Sequence, residues 1–164
     1  MRLFVTTAAA VLCFANIAHA AGYGVSGCGL EQHLESMKRA LNNNSFNTGF
    51  LRDDAYLAVV FLADEDDCSA ADQDFYDTSV SPLGPLDSFR CFEYGVECDG
   101  AGNERDQGSR TNCAPEFDSD LMTNPDDYVT FLKGLKENPK DVIVATIIGN
   151  SDTVAVGRYD HDDN

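Results

Sequence analysis

Hydrophobic residues fall along the chain in two rhythms. Between Leu30 and Leu41 the apolar positions Leu30, Leu34, Met37 and Leu41 are three or four residues apart, with Glu31, Glu35, Lys38 and Arg39 between them. That period belongs to an amphipathic helix with one buried face, and an acid at its start with cations near its end is the order the helix dipole favours. The polar run from Asn42 to Asn47 ends it. Pro125 to Glu137 repeats the rhythm through Tyr128, Phe131, Leu132 and Leu135, with Asn124 available as N-cap and Pro125 at the first helical position. Two other stretches are apolar without interruption and rich in β-branched residues: Tyr56 to Ala63 (YLAVVFLA) and Val142 to Gly149 (VIVATIIG). Such runs predict strands buried on both faces. Strands alternating with amphipathic helices imply an α/β class with a mainly parallel sheet and flanking helices, the second helix serving as the crossover.

The stretch of residues 70–120 breaks this scheme. It contains Pro82, Pro85 and Pro115 and three of the six cysteines, and it lacks a periodic apolar pattern. A segment of that length needs a staple or a function, so it reads as a disulfide-braced insertion. The simplest pairing joins Cys91 to Cys98 across a turn at Gly95, leaving Cys68 and Cys113 near enough to pair, although six cysteines leave other connectivities open. Residues 22–29, GYGVSGCG, form a glycine-rich loop, and residues 151–164 form an acidic tail.

Eleven Lys plus Arg against 28 Asp plus Glu give a net charge of −17, which excludes a nucleic-acid binder held by phosphate contacts. Residues 1–20 change the picture of where the protein works. Arg2, an apolar stretch from Leu3 to Ala15, and an A-x-A arrangement at Ala18 and Ala20 resemble a secretory signal peptide. Its removal would discard Cys13 and leave five cysteines, an odd count that implies a free thiol or an intermolecular bridge. If Cys13 stays and pairs, the same residues would instead be a helix packed on the core. Scattered cysteines without C-x-x-C pairs or companion histidines favour disulfides over zinc, and with them a secreted or extracytoplasmic location, at the cell surface or in a periplasm. Apart from the first 20 residues, no apolar run approaches the roughly 20 residues that span a membrane.

The candidate chemistry sits in Asp64, Glu65, Asp66 and Asp67, directly after the first predicted strand. Ligands of open α/β sheets bind at the carboxyl ends of strands, and carboxylate oxygens suit Mg2+ or Ca2+. The alternative is a solvated acidic turn. Three long stretches, GCGLEQHLESMKRAL at 27–41, FLRDDAYLAVVFLADEDDCS at 50–69 and SFRCFEYGVECD at 88–99, together with VIVATIIG, resemble a cysteine-containing bacterial secreted variant of the von Willebrand factor type A domain. The resemblance covers residues 24–149 and implies a Rossmann-like type A fold, here a partial domain over 21–150.

Such domains hold a divalent cation through a D-x-S-x-S motif, a Thr in a later loop and an Asp after a further strand. Asp64 matches that Asp, and Ser26 is the nearest match to the Thr. Asp66 is a further candidate ligand. The D-x-S-x-S spacing occurs at Asp77, Ser79 and Ser81 (DTSVS), but inside the insertion and not directly after the first predicted strand, where such domains have it, and DSD at 118–120 does not fit it. The implied cation site is therefore short of donors and weak, and Asp64 is expected at the end of a central strand with its carboxylate near Ser26. The resemblance also implies a helix ahead of the glycine-rich loop, so that residues 1–20 would be its tail and Cys13 would pair with Cys28.

Nothing points to catalysis. His19 lies in the leader, His161 in the tail, and His33 on the exposed side of the first helix, none beside a Ser or Cys in a nucleophile setting. No G-x-S-x-G, phosphate-binding loop or dinucleotide fingerprint occurs. The expected function is an extracytoplasmic binding or adhesion-type module for a protein ligand, not an enzyme, with a metal-free disulfide-stapled structural domain as the alternative. A metal-dependent secreted hydrolase using Asp64 is the weakest reading.

Overall fold

The computed structural model describes residues 29–42, 45–78, 82–99, 105–149 and 154–157. The leader, Ser26, Cys13, Cys28, His19 and His161 lie outside these residues.

Both predicted core strands form. β1 (Leu57–Leu62) and β4 (Val142–Ile147) pair in parallel with Leu57 opposite Val142 and Leu62 opposite Ile147. Two helices pack against one face of β1 and reach the start of β4 at Val142. α1 (His33–Leu41) contributes Met37 and Leu41, α3 (Pro125–Gly134) contributes Tyr128 and Leu132, and these meet Leu57 and Val59 in one buried cluster. The helical spacing of those positions is what brings them together. Asn124 caps α3 as the sequence suggests, its side chain accepting from the Asp126 N–H at 2.9 Å, with Pro125 in the first turn.

The insertion carries a structure of its own. A short helix, α2 (Phe89–Gly95), runs straight into β2 (Val96–Asp99), which pairs antiparallel with β3 (Gly108–Pro115). β5 (Val154–Val156) adds to the other side of β3, so three residues assigned above to the tail belong to this sheet. Only the β1–β4 pair is parallel. The chain is thus a mixed α/β structure with a two-stranded parallel sheet and a three-stranded antiparallel sheet among the described residues, rather than a mainly parallel one.

A second buried cluster, Cys68, Phe75, Cys91 and Met122, holds the insertion to the first layer. The disulfides join Cys68 to Cys91 and Cys98 to Cys113, which corrects the expected pairing. Because α2 passes directly into β2, Cys91 and Cys98 sit on different elements. Cys98 lies on β2 where antiparallel pairing brings β3 and Cys113 alongside, while Cys91 turns inward against Cys68. At the same place the ladder carries an irregularity between Glu97 and Asp99, and Asn112 adopts a positive φ of 51° with its amide donating to Asp99 at 2.7 Å. Such a backbone conformation suits Asn better than most residues.

Two further expectations need correction. β1 and β4 are not buried on both faces: β4 is exposed on both, Val144 on the side of Leu57 and Val59 as well as Ile143 and Ile147 on the other, because α1 and α3 pack over β1 and reach only Val142 of β4. The first helix starts at His33 rather than Leu30, and Leu30 packs against the second cluster instead.

Candidate functional site

The acidic turn follows β1 without a break. The Ala63 N–H donates to the Ile147 carbonyl at 3.1 Å, carrying the parallel ladder one step beyond β1 and setting Asp64 at the carboxyl end of the pair. Among the described residues β1 pairs with β4 alone, so β1 is not shown to be a central strand. Asp64, Glu65 and Asp66 are exposed, and Asp67 is half-buried.

Asp67 has a structural task that sequence reasoning missed. Its Oδ1 accepts the Leu34 N–H at 2.9 Å, and the Ser69 hydroxyl accepts the Glu35 N–H at 3.0 Å. These are N–H groups of the first turn of α1, which has no hydrogen bond from its own N-cap side chain, Gln32. The helix is capped from a loop more than thirty residues away, and the donors every helix leaves unsatisfied at its start are met there. Ser69 completes the arrangement by donating its N–H to Asp67 Oδ2 and its hydroxyl to Oδ1, both at 3.0 Å. The helix cannot extend back to Leu30 because the chain there lies along the acidic loop, with the Cys68 N–H donating to the Glu31 carbonyl at 2.6 Å.

His33 is buried, not on the exposed side of its helix. Its Nε2 lies 2.8 Å from a Glu31 carboxylate oxygen, and its Nδ1 lies 3.9 Å from Asp67. Behind it the Tyr128 hydroxyl donates to Glu35 at 3.2 Å, linking α3 to the capped end of α1. Burial pushes the Tyr128 hydroxyl up to about 12, with the Glu35 and Asp67 charges adding to the shift and hydrogen bonds to Thr123 and Ser69 opposing it. No cue in the spacing of these residues announces such a network; the D-x-S spacing of Asp67 and Ser69 after a strand is the one local sign of a cap formed at a distance.

The exposed acids crowd one another. Desolvation, then the charge of Asp67, raises Asp66 above the ordinary aspartate value. Glu65 is raised by desolvation first and then by Glu31, Asp64 and Asp66. Carboxylates raised in this way favour a neutralising proton or cation. Gly29, the last residue of the glycine-rich loop, lies beside them: a Cβ there would stand 3.5 Å from Ser88 Cβ and 4.0 Å from a Glu65 carboxylate oxygen. The end of that loop and the acidic turn are therefore neighbours. Ser26 itself falls outside the described residues, and its distance from Asp64 with it.

Among the described residues no three His, Cys, Asp or Glu side chains form a group that could hold a metal ion. Asp64 and Asp66 alone are far short of the roughly 6 to 8 oxygens calcium takes, and water would have to supply most of the shell. No described helix is long and apolar enough to cross a membrane. Compared with family models, curated proteins and solved structures, the chain matches nothing in any of the three.

Proposed function

We propose that the protein is an extracytoplasmic binding module of the adhesion type, built on a partial type A-like layer, and that it takes up a divalent cation weakly at the acidic turn. The observation that supports the reading is the meeting, at the carboxyl end of a parallel strand pair, of the exposed acidic turn Asp64 to Asp66 with the last residue of the glycine-rich loop, Gly29, which lies beside Glu65. That end is where open α/β sheets bind ligands. Asp64 and Asp66 supply carboxylates, Ser26 a hydroxyl, and water the remainder. The two disulfides suit an oxidising compartment. The ligand is a protein, and no catalytic residue enters the reading.

Calorimetric titration with calcium and with magnesium tests it. The expected result is saturable heat with a dissociation constant of about a millimolar, as in the loosest extracellular calcium sites, abolished by Asp64→Ala. Absence of heat through about ten times that concentration would leave the second reading, a metal-free disulfide-stapled domain. One observation favours that alternative: Asp67 and Ser69 are already engaged in capping α1.

A further inference from the structure

We infer that the face of the β1–β4 pair that no described element covers is a docking surface for a basic amphipathic helix of a partner protein. The inference rests on the reading of the chain as an interaction module and names the chemistry of its partner.

The parallel register sends alternate side chains to opposite faces. Leu57 and Val59 go to the side covered by α1 and α3; Val60, Leu62, Ile143, Ala145 and Ile147 go to the other. On that side Leu62 is 52% exposed, Ile143 52% and Ile147 63%. Contiguous apolar surface of this kind marks an interaction site more often than chance exposure. β1 already takes helices on its other face, so a helix also suits this one. Six residues of strand extend roughly 20 Å, the length of a helix of about 14 residues.

Charge selects the helix. From Asp53 to Phe89 the chain contains ten acids and no Lys, Arg or His, and this stretch includes β1 and the acidic turn at the end of the face. Asp141 directly precedes β4, and no cation occurs from Val142 to Gly149. A net charge of −17 opposes a second copy of the chain and an acidic partner alike. It attracts a helix with Leu or Ile on one side and Lys or Arg on the other, whose cations reach Asp64, Glu65 and Asp66 while its apolar side lies on Leu62, Ile143 and Ile147.

The test uses the full chain and a fluorescent synthetic helix of Leu and Lys, about 14 residues long, measured by anisotropy. Two controls keep half of its features: a Leu and Glu helix, and a Lys and Gln peptide without an apolar side. Saturable micromolar binding of the Leu and Lys helix alone is expected, weakened about tenfold or more by Ile147→Glu and several-fold by Asp64→Asn with Asp66→Asn. Leu62→Gln and Ile143→Gln serve if Ile147→Glu does not fold. Equal binding of either control, indifference to all three face substitutions, or dimerisation of the chain through this face would overturn the proposal. Calcium titration of the unsubstituted chain separates the two readings, because a calcium response without saturable binding of the Leu and Lys helix overturns this surface and leaves the cation-binding module in place.

Discussion

Asp67 differs from its three acidic neighbours in what its carboxylate meets. It accepts from Leu34, from the Ser69 N–H and from the Ser69 hydroxyl, so it ties the acidic turn to the start of α1. Asp67→Ala should cost about 1 to 2 kcal/mol, the range for a lost helix cap, and Asp67→Asn less, because an amide oxygen still accepts from Leu34. Thermal unfolding checks this; an unchanged midpoint for Asp67→Ala would show that the cap carries no weight. Asp66 behaves in the opposite sense. Its value is raised in the folded chain, so in the absence of divalent cations its ionised form opposes folding above that raised value, and the cost fades as pH falls through it towards the ordinary 3.8. Asp66→Asn should raise the unfolding midpoint at pH 7 in the presence of a chelator, with the gain vanishing below the ordinary aspartate value. A gain that persists in acid would place its cause elsewhere. None of these roles is visible in DEDD as a string, since like residues in sequence were told apart only by which of them faced a helix end.

At the scale of elements, periodicity was legible and pairing was not. The apolar runs located β1 and β4, and the three-four spacing located α1 and α3, because each pattern records which side faces a core. What covers the second face of a strand is a property of the rest of the molecule, and β4 therefore departs from the expectation. Cysteine pairing failed for a similar reason: proximity in sequence favoured Cys91 with Cys98, while the immediate passage of α2 into β2 sets them on separate elements. Peptide mapping without reduction should recover Cys68 with Cys91 and Cys98 with Cys113. Replacing Cys98 and Cys113 together by Ser should cost about 2 to 4 kcal/mol, since their loop is 15 residues long. Arg90 is another staple that no local pattern announces. Fully buried on α2, it donates to the carbonyls of Phe75, Asp77, Gly84 and Pro85 and so gathers the loop before the helix. Gly84 presents its carbonyl from a positive φ of 74°. Arg90→Lys, which cannot reproduce that fan of donors, should destabilise by roughly 3 kcal/mol or more through unmet buried carbonyls, and a smaller loss in chemical denaturation would contradict the role.

Among the described residues, two small sheets and one disulfide-lined cluster stand together, and the face of the parallel pair away from α1 and α3 and its carboxyl end are open. Both open regions are functional under the present reading: the end for a cation, the face for a basic helix. They share the acids at 64–66, so the carboxyl end of β1 is where the account stands or falls. Amide chemical shifts followed by nuclear magnetic resonance during a calcium titration report on that end residue by residue. The account predicts saturable shifts with a dissociation constant of about a millimolar, concentrated at Asp64 to Asp67 and at Gly29 beside Glu65, and absent in Asp64→Ala. Shifts gathered instead at Asp72 and Asp74 or at Asp126 and Asp127, or no saturable shift at all, would contradict it.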